Sequence, residues 1–247
     1  MTQRVVNSDR TADADAQTWR MLALSGIAFA VLFVVGFLLS RGDTPDYSAP
    51  DQEWTKWAED NESNNQVSVI LSLLAGVAFL LFAGIIRSVL GAAEATERGF
   101  APLARAAFAG AVTGITGIVT AIVMIAAASF HGSDSDPAVS RAVIDASAGP
   151  FLLASMGFAA LLAAAGLLTL RTGVFGRWTA IVALIGSVGF LVTFLAVTDP
   201  DNGDSVFGIG YPIGFLCLAI WSIATSLATF RKSATTTASD ATPASSA

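Results

Sequence analysis

One cysteine, Cys217, and one histidine, His131, are all that 247 residues offer in thiol and imidazole. A lone cysteine excludes an intramolecular disulfide and any paired-thiol redox chemistry, and within an apolar run it is expected to be a quiet packing residue. One histidine and one cysteine also fall short of the ligand sets of membrane zinc proteases, iron desaturases and di-haem cytochromes. Charge is scarce too. Asp, Glu, Lys and Arg make up 13% of the chain, about half the share of an average soluble domain. None of these charges falls near the middle of a long apolar run, which argues against a proton- or ion-coupled carrier. Ser72, Ser155, Ser187 and Ser222 lie in such runs with no His, Lys, Asp or Glu at the same depth to activate them, which leaves a serine hydrolase without a base. No Gly-rich loop followed by Lys cradles a nucleotide phosphate. The chain is therefore not expected to be an enzyme, and the sequence nominates no catalytic, cofactor-binding or metal-binding residue.

What the chain has is apolar length: 54% of its residues are hydrophobic. A hydrocarbon core of about 30 Å needs roughly 20 helical residues, and six runs qualify: 21–40, 67–89, 106–130, 149–170, 178–197 and 209–230. Barrel strands would alternate apolar and polar residues over about 10 positions, whereas these runs are continuous. The fold class predicted is all-α: a polytopic integral membrane protein whose six transmembrane helices form one bundle over 19–232. Residues 1–18 and 233–247 are polar, rich in Asp, Ser, Thr and Ala, and are expected to be disordered tails. The first run is too long for a secretion-signal core, and Ser40-Arg41-Gly42-Asp43 lacks a small-x-small cleavage site, so it reads as a retained anchor.

Charge sign sets the expected orientation. Arg4, Arg10, Arg20, Arg87, Arg98, Arg105, Arg171, Arg177, Arg231 and Lys232 fall on one side of the spans, against Arg41, Lys56 and Arg141 on the other. Positive residues near span ends stay cytoplasmic, which places both termini inside. The acids mirror this, with 13 of the 19 on the outer side.

The loops carry the remaining signals. Ser48, Pro50, Asp51 and Glu53 resemble a helix start, and Trp54 and Trp57 share one face of the helix that follows. That helix would either anchor at the headgroups, as tryptophans commonly do, or lid the outer mouth of the bundle. In the second outer loop Asp136 is a cap for a helix opening at Pro137, with Arg141 and Asp145 paired at i, i+4 and a kink expected at Pro150. His131 beside it has no evident partner and is expected to be inert. The third outer loop, Asp199-Pro200-Asp201-Asn202-Gly203-Asp204, departs from a calcium loop at the fifth, sixth and twelfth positions and reads as a turn.

Inside the spans, Thr113, Thr116, Thr120, Ser187, Thr193, Ser222 and Thr225 are the polar side chains a ligand would meet, although each is expected to bond its own helix one turn back. The third run is divided by size rather than polarity. Gly110, Thr113, Gly114, Gly117, Thr120, Ala121 and Met124 share one side, and Val112, Ile115, Val119, Ile122 and Val123 the other. Small residues let helix backbones meet in lipid, so this run is expected to be the packing centre.

Three segments carry a family resemblance: Arg171-Thr172-Gly173-Val174-Phe175-Gly176-Arg177-Trp178, Leu103-Ala104-Arg105-Ala106-Ala107-Phe108-Ala109-Gly110, and the acidic loop before the second run. Together they resemble a broad group of predicted bacterial six-span membrane proteins of unknown function, over roughly residues 20–230. The group implies no activity or site residues. An excess of Arg over Lys, 11 to 2, fits a GC-rich bacterial genome. The expectation is an inner-membrane protein of a bacterial cell, without cofactor, acting as a lipid- or partner-interacting component. The alternative is a carrier or permeability factor for a small, mostly apolar solute. Its expected partners are the lipid bilayer and a membrane protein or second copy of the chain, with no nucleic acid.

Overall fold

A computed structural model describes residues 21–40, 45, 48–98, 101–129, 136–195 and 206–240. Every regular element among them is helical. The helices are α1 (Ser25–Ser40), α2 (Asp51–Asp60), α3 (Glu62–Arg98), α4 (Pro102–Ser129), α5 (Pro137–Ala146), α6 (Ala148–Thr172), α7 (Arg177–Leu195) and α8 (Val206–Asp240). His131 and the Asp199 to Asp204 loop lie outside the described residues.

Six spans were expected; five helical stretches are long and apolar enough to cross a membrane. They are Met21–Leu39, Glu62–Thr96, Pro102–Ala128, Pro137–Thr172, which joins α5 to α6, and Ile209–Arg231. The sixth run falls on α7, which is described as far as Leu195; those 19 residues extend about 28 Å at 1.5 Å each. The 37 residues of α3 extend about 55 Å, more than the thickness of a hydrocarbon core.

α4 packs between α3 and α6. Its glycine side meets α6 at backbone distance. A Cβ added to Gly110 would lie 2.6 Å from Gly157 O and Leu161 N, and one on Gly117 2.6 Å from Ala154 N and Pro150 O. The bulky side meets α3, where Val119 and Ile115 close on Gly76. Size division along α4 thus assigns one neighbour to each side. The α7 and α8 helices repeat the device, with Gly189 against Gly210 and Gly214.

The α5 helix starts as its sequence predicts: Asp136 accepts from Ala138 N at 3.0 Å, and Arg141 Nε bonds Asp145 at 2.9 Å. The helix breaks at Ser147 rather than at Pro150 itself. Pro150 has no N–H for the carbonyl of Ala146, and losing that bond interrupts the ladder one turn upstream. Pro150 then sits in the first turn of α6, where a missing donor costs nothing.

Helical backbone in α8 continues past Ser233 to Asp240. Adding a residue to an existing helix avoids the nucleation cost, so an Ala-containing polar segment can follow a stable span. Trp54 and Trp57 are 6% and 8% exposed, packed with Ala58, Ala128 and Ile144. They face protein instead of headgroups, because α2 lies against α5 and the end of α4. Arg141 stacks 4.7 Å above the Trp54 ring.

Candidate functional site

The axis of the bundle is filled with rings. Trp221 meets Phe82 at 5.7 Å between centroids, Phe82 meets Phe79 at 6.0 Å, and Phe79 meets Phe158 at 5.7 Å. The column continues from Phe158 to Phe215 at 5.7 Å and from Phe215 to Tyr211 at 4.5 Å. Edge-on and tilted contacts of this kind add to plain burial. The void beside Phe82 and Trp221 has a volume of about 10 Å³, room for roughly one water molecule.

Polar groups in this interior are few. Ser68 Oγ donates to Gly36 O at 2.8 Å, tying α3 to α1, and Ser187 Oγ donates to Ala159 O at 2.9 Å, tying α7 to α6. Ser187 therefore bonds a neighbouring helix, not its own. Thr120, Thr193 and Thr225 do bond back to their own helices, at 2.8, 3.1 and 2.7 Å. Trp221 Nε1, Ser222 Oγ and Ser226 Oγ are buried with no hydrogen-bond partner among the described residues. Ser226 Oγ sits against the Cα of Gly26, where α1 meets α8.

At the end of the bundle where the arginines gather, Glu94 is 1% exposed and caps α4, accepting from Leu103 N at 3.1 Å and Ala104 N at 2.9 Å. Along the sequence Glu94 is no more than one acidic residue near a span end. Its signal was there: an acid in the last turns of a helix opposes the dipole of its own helix, and here it serves the start of the next.

Two roomy spaces among the described residues lie on the outside of the α7–α8 pair. One hollow, of about 490 Å³, is lined by Leu184, Val188, Gly189, Val192, Gly210 and Ile213. It opens where glycines bring the two backbones together and leave no side chain to fill the flank. The other, of about 480 Å³, lies toward the loop from Gly173 to Gly176, between Trp178 of α7 and Ile220, Ile223, Ala224, Leu227 and Arg231 of α8. Both volumes fall in the range of small-molecule sites. Around them Ile185, Val188, Leu191, Leu216 and Ile220 are exposed, a continuous apolar surface of the kind that meets lipid or a partner.

Trp178 is 56% exposed and lines the second hollow. That Trp178 and Arg231 line one space is not visible in the sequence, because only the packing of α7 on α8 brings them together. Thr113 and Thr120, polar side chains that a ligand in the spans would meet, are half-buried and exposed respectively, and no hollow described above includes them. Among the described residues no three His, Cys, Asp or Glu side chains gather closely enough to hold a metal ion. No protein-family model, curated protein or solved structure matches the chain.

Proposed function

We propose that the chain is a non-catalytic component of a bacterial inner membrane, that it crosses the bilayer six times, and that it works by holding lipid along the α7–α8 seam. The observation that carries this reading is where the space is. Both hollows of nearly 500 Å³ open on the apolar outside of α7 and α8, while the ring column occupies the axis. A carrier needs a path that alternates between the two sides; a lipid-binding protein needs a furrow facing the bilayer. The charge split supports placing the termini in the cytoplasm.

A second reading, a carrier for a small apolar solute, draws on Trp221 Nε1, Ser222 Oγ and Ser226 Oγ, donors left without partners beside the axial column. Such a carrier would have to part the rings to admit even a small solute. Purified protein in liposomes separates the two. Retained phospholipid with solute flux no greater than in protein-free vesicles is the expected result. Saturable flux of an apolar solute would favour the carrier, and a co-purifying protein seated in place of lipid would favour a partner-binding role.

A further inference from the structure

We propose that the hollow between Trp178 and Arg231 is a site for one anionic phospholipid, its acyl chains against α8 and its phosphate at Arg231. This rests on the lipid-binding reading above and adds a headgroup and an address.

The hollow is chemically two-ended. Ile220, Ile223, Ala224 and Leu227 make an apolar wall, and Arg231 closes it one turn beyond Leu227. Trp178 of α7 lines the same space. An apolar wall joined by a guanidinium and an indole matches a lipid, whose chains, glycerol region and phosphate call for an apolar, an amphipathic and a cationic surface. Thr179 also lines the space, but its hydroxyl is spent on Phe175 O at 3.2 Å and Gly176 O at 2.8 Å. Recognition of the headgroup therefore falls to Arg231.

Among the described residues no carboxylate lines this space. No acidic residue occurs anywhere in 146–198 or in 205–239, while Arg171, Arg177, Arg231 and Lys232 all lie in those segments. Arg231 makes no ion pair with a described residue. Glu94, a buried acid at the same end of the bundle, is already engaged by the amides of Leu103 and Ala104. A guanidinium at a bilayer surface with no ion pair among the described residues can take a phosphate as counterion, and its attraction to anionic lipid amounts to about five-fold enrichment per residue.

Trp178 provides the readout. The full chain would be reconstituted in phosphatidylcholine vesicles containing a small fraction of bromine-labelled phosphatidylglycerol, or the same fraction of bromine-labelled phosphatidylcholine. Quenching of Trp178 is the difference between the parent and Trp178→Phe. The expected result is quenching by the labelled anionic lipid exceeding that by the labelled neutral lipid by about five-fold. Arg231→Gln should remove the excess, and Arg105→Gln, on α4 away from the hollow, should leave it. Equal quenching by the two lipids overturns the anionic site and leaves lipid binding standing. Quenching by neither overturns the lipid-binding reading itself. An excess that survives Arg231→Gln, or that Arg105→Gln removes equally, reports general surface charge and overturns the site.

Discussion

Gly117→Ala adds one methyl group where the structure has no room for it. The new Cβ would stand 2.6 Å from both Ala154 N and Pro150 O, where ordinary contact begins at 3.4 Å, a shortfall of 0.8 Å. Both obstructing atoms are backbone, so no side chain can swing aside; α4 and α6 must separate. In lipid nothing hydrophobic holds two helices together, and a gap of roughly 0.5–1 Å already forfeits a quarter to a half of each dispersion contact. Overpacking of this kind costs about 1–3 kcal/mol, which for a chain of this size lowers the melting temperature by about 2–12 °C. Gly110→Ala meets Gly157 O and Leu161 N at the same 2.6 Å and should behave alike. Gly114→Leu would drive into the Phe158 ring, itself fully buried in the aromatic column. Gly84→Ala is the control, because a Cβ there meets nothing within 4 Å and helix propensity favours alanine by up to about 1 kcal/mol. Thermal unfolding in mild detergent reads all four. If Gly117→Ala and Gly110→Ala melt with the parent, or Gly84→Ala proves the most damaging, the seam does not hold the bundle.

Ile115→Leu and Ile122→Leu, on the α3-facing side of α4, keep volume and should cost under about 1.5 kcal/mol in the same assay. Glu94→Ala strips two buried amides of their acceptor and should cost about 1.5–3 kcal/mol, with Glu94→Gln intermediate since its amide has one acceptor oxygen instead of two; equal stability of all three forms would mean water satisfies the start of α4. Arg141→Ala removes both the Asp145 pair and the stack on Trp54, and hydrogen exchange in α2 should quicken while the melting temperature barely moves. Reporter enzymes active only outside the cytoplasm should work when fused after Asp60, Ser135 or Asp204 and fail after Thr96, Gly173 or Lys232; activity at any of the second set would reverse the proposed orientation.

Local chemistry is legible in this chain to the extent that it is local. Asp136 capping Pro137 and Arg141 pairing with Asp145 follow from neighbours in sequence, and both are in place. Apolar runs locate the long helices because hydrocarbon demands an uninterrupted stretch. The glycine side of α4 was visible from its spacing, yet its counterpart, Gly157 on α6, was not, since a stripe of small residues says that something approaches without saying what. The same holds for Gly189, Gly210 and Gly214, although Gly210-x-x-x-Gly214 displays the small-residue spacing openly. The tryptophans of α2 misled for a physical reason: an indole suits the headgroup region and a protein crevice equally well, and only the docking of α2 on α5 decides between them. Ser187 and Glu94 reach across to neighbouring elements, which no periodicity reveals. The hollow at Trp178 and Arg231 is a property of two helices together and of neither alone.

The central claim is that lipid occupies the α7–α8 seam. Native mass spectrometry of the protein released from mild detergent counts retained phospholipid directly, for the parent and for Ala224→Phe, which fills the hollow from its α8 wall. Bound phospholipid is expected on the parent and less of it on Ala224→Phe, whose other hollow stays open, with the two proteins unfolding at closely similar temperatures. A parent that carries no lipid, or a variant that retains as much as the parent, would contradict the claim.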